Sequence, residues 1–439
     1  MWSRLAPSPT TGGPAAGSSA VIALLGLETF MSSLNLPPAG AGTAAPARSA
    51  TPREWGAVLA LTLGAFALVA SEFMPISLLT PIATDLQVSE GQAGQAIAVS
   101  GAFALVTSLL VSPLAGQLDR KWLLLGLTTA MILSGTLAAL APSFPVFMLG
   151  RALIGVAIGG FWAMSAATAM RLVPSHQVPR ALAIVNGGNA LATVIAAPMG
   201  SYFGAIVGWR GAFFSLVPVA VVALLWKIAA LPSMKATAGR ASWNVFALLK
   251  RPPVAWGMVG VSLFFMGQFS LFTYLRPFVE GTLHVSPSTL SLLLLLMGAA
   301  GLAGTLLIEP FVHKALFRTL VLLPALMAVV AVCMILIGNT LPRVAVLFAL
   351  WGLLGTSAPV AWWSWLARTL PDDGEAGGGL MVAVVQMAIA IGATVGGVLL
   401  DHQGYRATFW FSAVLLLGSV VTSCIAARSA QHHRLPVHS

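Results

Sequence analysis

GWRGAF, residues 208–213, returns as GYRATF at residues 404–409. The shift of 196 positions that superposes them also lays Glu72-Phe73 on Gln268-Phe269 and Pro81 on Pro277. Matches near the beginning and at the end of two stretches, all in one register, point to an internal duplication. What lies between them is oily. The 439 residues are 58% hydrophobic and 8% charged, with a mean hydropathy of +0.92, whereas soluble domains carry about 25% charged residues. The chain therefore reads as an integral membrane protein.

From Trp55 onward twelve apolar segments are long enough for a transmembrane helix, which needs about 20 residues. They run over 55–80, 93–114, 122–140, 144–170, 179–207, 211–230, 253–279, 287–308, 318–338, 342–369, 376–400 and 407–427. The longest connection, 231–252, parts them six and six. The expected organisation is a disordered cytoplasmic tail (1–52), a six-helix half (53–230), a cytoplasmic linker (231–252), a second six-helix half (253–428) and a cytoplasmic tail (429–439). Two homologous halves around a central site form the parallel-repeat transporter plan, so the expected fold is an all-α membrane protein of twelve transmembrane helices. Within the tail, rich in Ala, Pro, Gly and Ser, VIALLGLETFM is too short to span, and Met31 stands as an alternative start.

The net charge of +10 is a matter of topology. Of the 22 Lys and Arg, only Arg210, Arg276, Arg343 and Arg406 fall in loops on one side, and Arg151 falls within a span; the other seventeen fall on the other side. Lys and Arg accumulate on the cytoplasmic face, which puts both termini inside and removes any case for nucleic acid. Cys333 and Cys424 lie in apolar segments, the seven histidines are scattered, and no metal, haem or nucleotide motif is present. No cofactor, no metal and no enzyme activity are expected.

Against this background a few polar residues stand out. ALVASEFMPISLLT, residues 67–80, holds Glu72 in an apolar run with no cation within ten residues. A charge at bilayer depth costs about 2.5–3.5 kcal/mol on insertion scales, and such groups usually serve ions or protons. Loss of water favours the neutral acid, so Glu72 suits proton uptake and release. Pro75, one turn on, frees helix groups for hydrogen bonding. The competing reading is an acid reaching for the outer interface. GRALIGVAIGG puts Arg151, Gly155 and Gly159 on one helical face. The glycines permit close helix approach, and the arginine, pointing into the bundle, needs acceptors or a carboxylate. The matching residues of the second half are Gln268 and Leu347, so titratable chemistry belongs to the first half alone.

Asp119, Arg120 and Lys121, between spans two and three, are candidate gating charges at the inner surface or plain topology-setting charges. Gly188, Ala192, Ala196, Gly200 and Gly204 make a close-packing ladder, with a kink expected at Pro198. Candidate cavity residues are Trp162, Ser165, Asn186, Asn189, Gln268, Thr273, Tyr274, Trp363, Ser364 and Gln386, a set of aromatic faces and amides suited to a heterocycle with hydroxyls.

EFMPISLLTPIATDL, RALIGVAIGG and GWRGAFF resemble the major facilitator superfamily, specifically its drug:proton antiporters of twelve spans, over about residues 53–428. GGFWAMSA, MRLVP and GQFSLFTYLRP are similar to the bacterial purine ribonucleoside efflux pumps within that family. Ala115 stands where the family has a glycine in its gating loop, and Ala197-Pro198 where its antiporter motif has Gly-Pro. The resemblance implies a major facilitator fold in the bacterial inner membrane, a monomer without cofactor, and export of purine ribonucleosides such as inosine, guanosine and adenosine, or purine analogues, against protons, with Glu72 and Arg151 coupling the two. Two alternatives stay open: the same exchange with sugars or amphipathic drugs, and a non-transporting ligand receptor on a transporter scaffold.

Overall fold

The computed structural model describes residues 48–115, 118–235, 245–371 and 373–432. Most of the expected disordered tail lies outside these residues, as does part of the linker. Twelve α-helices follow one another among these residues: α1 (Pro52–Leu86), α2 (Glu90–Ala115), α3 (Arg120–Ala139), α4 (Phe144–Leu172), α5 (Val178–Ala230), α6 (Pro252–Phe272), α7 (Leu275–Leu283), α8 (Pro287–Leu307), α9 (Glu309–Ile337), α10 (Leu341–Thr369), α11 (Gly374–Gln403) and α12 (Tyr405–His432). Their starts are written locally. Thr51 and Glu54 form a reciprocal capping box at α1, satisfying two N–H groups that a helix start leaves open. Pro52, Pro252, Pro287 and Pro342 stand in first turns, where the missing proline N–H is harmless.

Helices and membrane crossings are counted differently. Among the described residues eleven helical stretches are long and apolar enough to cross, with α6 and α7 forming one of them, Pro252–Leu283. Another, Ser175–Ala230, has 56 residues, more than twice what one crossing needs. It is divided at Gly208, whose φ of 74° is left-handed. Counted as two crossings it brings the total to twelve, and both described chain ends then lie at one end of the bundle, the near end. Gly404, the 196-shifted mate of Gly208, has φ 79° and ψ 175° against 74° and 166°. Only glycine takes such angles without strain, so the repeated motif repeats as a backbone turn.

Packing repeats too. In the first half α1 packs on α5, α2 on α4, and α3 on both α4 and α5; in the second, α6 packs on α11 and α12, α8 on α10, and α9 on α10 and α12. Each half has its own apolar core. The halves meet where α2 packs on α11 and α5 on α8. A third, small apolar cluster of Ile76, Ile97, Ala98, Phe269, Ile389 and Ala393 sits on that seam.

Three expectations change in detail. α9 begins at Glu309, so Lys314 and Arg318 are helical rather than in a loop, with a local break at Ala315. α12 runs past residue 428 to His432. Lys227, counted above with the inner-surface charges, is 1% exposed inside the first half, because its position on α5 turns it between the helices instead of toward the surface.

Candidate functional site

Two prolines in α1 organise the centre of the molecule. A proline at position i cannot donate to the carbonyl at i−4, so Pro75 leaves the Ser71 carbonyl open and Pro81 leaves that of Ser77 open. Arg151, 1% exposed on α4, donates from NH1 to the Ser71 carbonyl (2.9 Å), from NH2 to the Glu72 carbonyl (3.2 Å) and the Ser100 hydroxyl (3.3 Å), and from Nε to the Ala96 carbonyl (3.1 Å). The sequence asked for acceptors or a carboxylate. The acceptors found are mostly backbone carbonyls of α1 and α2. α4 can come this close to α2 because Gly155 and Gly159 lie against the Ser100 and Ala104 carbonyls, where a side chain would collide.

Glu72 itself is 7% exposed. Its carboxyl lies within reach of the Arg151 charge and of the Gln386 side-chain amide on α11. The acid thus belongs to the first half and its amide partner to the second.

One residue further along, Phe73 stacks on Phe269, its own duplicate, with centroids 6.0 Å apart and planes 29° from parallel. Phe272 closes the triangle edge-on, 6.3 Å from Phe73 and 5.7 Å from Phe269. With Ile76, Ile97 and Ile389 these rings form an apolar plug between the halves, displaced from Glu72 toward the far end.

The other expected cavity residues divide. Gln386 reaches Glu72. Gln268 is half-buried, and its Oε1 has no protein partner among the described residues. Trp363 is 45% exposed. Asn186 is exposed; Asn189, Trp162 and Ser364 are half-buried; Ser165 is buried on α4. Thr273 and Tyr274 are a correction. Both are fully buried, and their hydroxyls donate to the carbonyls of Phe269 (2.7 Å) and Ala393 (2.6 Å). The chain bends between α6 and α7 there, which buries both; Tyr274 packs with the apolar cluster of the first half, against Gly94 of α2.

Asp119, Arg120 and Lys121 lie near the termini. Asp119 caps α3 by accepting from the Lys121 N–H (2.8 Å), and it also accepts from the Met234 N–H (2.8 Å) and the Ser233 hydroxyl. The Arg120 N–H donates to the Met234 carbonyl and Lys121 Nζ to the Ile228 carbonyl, both at 3.0 Å. These contacts tie the start of α3 to the end of α5 within one half. The Asp119 carboxyl is drawn below its ordinary range. Desolvation, the largest single influence, acts against that, and the Ser233, Met234 and Lys121 hydrogen bonds with the Lys121 charge together prevail.

Sequence reading missed Arg276 and Lys227 as interior cations, since it judged both by loop position. It also missed the aromatic plug, although the 196-residue shift already set Phe73 on Phe269.

Comparison with known proteins adds the following. The family model for the major facilitator superfamily matches residues 61–378. A Pseudomonas aeruginosa protein named transcription regulatory protein OpdE is 60% identical over 380 residues, covering 86% of this chain and 94% of that one. The purine ribonucleoside efflux pump NepI of Salmonella typhimurium is 38% identical over 364 residues, covering 83% and 92%. Among solved structures, a bacterial homologue of the human lysosomal transporter Spinster, inward-facing and unoccupied, superposes with a TM-score of 0.72 at 15% identity over 88% of this chain and 99% of that one. A D-xylose–proton symporter gives 0.67 at 17% identity over 84% and 97%.

Proposed function

This chain belongs to the major facilitator superfamily of membrane transporters, and on that footing we propose that it exports purine ribonucleosides in exchange for protons. The observation that carries the reading is the Glu72–Gln386 contact. A proton on the Glu72 carboxyl replaces an acceptor with a donor and removes the charge facing Arg151, so protonation and separation of the halves act on each other. Nucleoside bound between the halves takes over hydrogen bonds that close the same site. Substrate and proton then favour opposite arrangements, which is the condition for antiport. In the bacterial inner membrane, with both termini inside, the membrane potential contributes about 2.3 kcal/mol per charge per 100 mV. The cargo rests on likeness to the efflux pumps and on the amides Gln268 and Gln386 beside aromatic faces.

The relative named a transcription regulatory protein favours a second reading: a ligand sensor on a transporter scaffold, affecting transcription through what it binds. One experiment separates the two. Purified protein in liposomes with an imposed pH gradient is tested for radiolabelled inosine flux, with purine nucleosides, sugars and cationic drugs as competitors. Gradient-driven flux inhibited only by purine nucleosides is the expected result. Inosine binding without flux favours the sensor, and flux inhibited by sugars or drugs instead changes the cargo.

A further inference from the structure

The second open carbonyl of α1 has a different claimant from the first. Arg276, on α7 in the other half, is 6% exposed and donates from NH1 to the Ser77 carbonyl, the one released by Pro81. Its Nε and NH2 both engage Glu280 Oε1, at 2.8 and 2.7 Å, one turn further on its own helix. The acid therefore fixes the guanidinium plane, and the free arm of the fork crosses the seam. A guanidinium keeps its charge, so its burial depends on these acceptors being in place.

We propose that Arg276 is the far-end latch of the transport cycle, engaging Ser77 when the halves close at that end and withdrawing when they part. Pro81 is what makes the bond reversible. With any other residue at 81, the helix's own N–H would compete for the Ser77 carbonyl, and Arg276 would share its acceptor. With proline, the carbonyl stays open, and water replaces the guanidinium when the seam opens, leaving the helix unaltered. The surroundings fit a seam that parts. On the same side of the plug, the Ser89 hydroxyl and Gly91 N–H donate to Asp401 (2.5 and 2.9 Å), and the Thr394 hydroxyl donates to Gln95 Oε1 (3.0 Å), each between the halves. All these groups are ones that water can satisfy. A static joint between halves would be expected to be apolar or to carry direct ion pairs; among the described residues the ion pair of Arg276 lies within its own helix, and Glu90 of α2 faces it across the seam by charge alone. The latch rests on the chain being a transporter and is independent of cargo.

The test reads access, not transport. With Cys333 and Cys424 replaced by serine, Ile97→Cys places a thiol in the plug, where the side chain is 1% exposed. Labelling by a membrane-impermeant maleimide is timed in right-side-out and inverted vesicles. Arg276→Lys, which keeps the charge beside Glu280 on a single-point donor, should speed labelling about tenfold, as loss of a hydrogen bond to a charged group requires, and Pro81→Ala, which gives the Ser77 carbonyl a competing internal N–H while keeping every charge, should speed it in the same direction by less. The increase should occur in one vesicle orientation only. Wild-type rates in both variants overturn the latch, as does an equal increase from both sides, which would mean loosened packing. Because labelling needs no substrate, failure of nucleoside transport leaves this result standing.

Discussion

Arg151 NH1 lies 2.9 Å from the Ser71 carbonyl, and Pro75, four residues on, is why that carbonyl is open. A helix break in one span and a buried cation in another thus complete each other. Removing the cation leaves the buried Ser71 carbonyl without a donor, at about 1–3 kcal/mol. Arg151→Leu, the residue of the duplicate position, should lower the melting temperature in detergent by several degrees. Adding Pro75→Ala, which restores an N–H to Ser71, should recover part of the loss. A double variant no better than the single one would refute the pairing.

Glu72→Gln keeps the shape and a hydrogen-bonding amide opposite Gln386 but cannot titrate. The expected outcome is normal expression and melting behaviour, with gradient-driven inosine flux in inverted vesicles reduced to background. Downhill exchange of inosine for inosine should persist, because it needs no net proton movement.

Gly155 and Gly159 let α4 reach the α2 backbone, and an added methyl group would meet the Ser100 and Ala104 carbonyls. Backbone cannot yield as a side-chain tip can. Gly155→Ala and Gly159→Ala should each destabilise by about 1–3 kcal/mol, the usual overpacking range. Gly126→Ala, with nothing nearby, serves as the harmless control. Thermal melts compare the three.

At the near end the hydrogen bonds to Asp119 hold its carboxyl below the ordinary aspartate range. A carboxyl depressed by folding contributes stability that is present above its unfolded value, near pH 3.9, and is lost as pH falls through the folded value. The tie between α3 and the end of α5 should therefore be intact at neutral pH and weaken below about pH 4. Amide exchange at Met234 should rise over that window in the wild type and be high at every pH in Asp119→Ala.

Lys227 is enclosed by Gly64, Leu68, Leu127, Thr128, Met131, Ala157 and Phe161. Its Nζ donates to the Thr128 hydroxyl at 2.8 Å and lies 5.5 Å from the centre of the Phe161 ring. No ion pair to it is present among the described residues. Exchanging a buried charged group for an apolar one of similar volume is often neutral or stabilising, so Lys227→Met should melt at or above the wild-type temperature. A fall of several degrees would mean that the ammonium holds the first half together.

Much of this was legible beforehand because the bilayer constrains sequence so strongly. Span length and the repeat from Gly208 to Gly404 each report a local requirement, namely apolar length and a left-handed turn. Glu72 and Arg151 were legible for the same reason, as polar groups where polarity is expensive. Thr273 and Tyr274 were misjudged because a hydroxyl satisfied by its own helix or by a neighbouring carbonyl looks, in sequence, like one awaiting a ligand.

The amino-acid order alone determined that the chain is a duplicated membrane bundle with one acid and one base set deep in its first half, since hydropathy and charge act residue by residue. Which groups those residues meet was decided only by the tertiary fold. Ser71 with Arg151, Ser77 with Arg276, Glu72 with Gln386 and Phe73 with Phe269 are partners far apart in the chain. Their pairing depends on how the helices cross and on where two prolines leave carbonyls open, and neither follows from local composition.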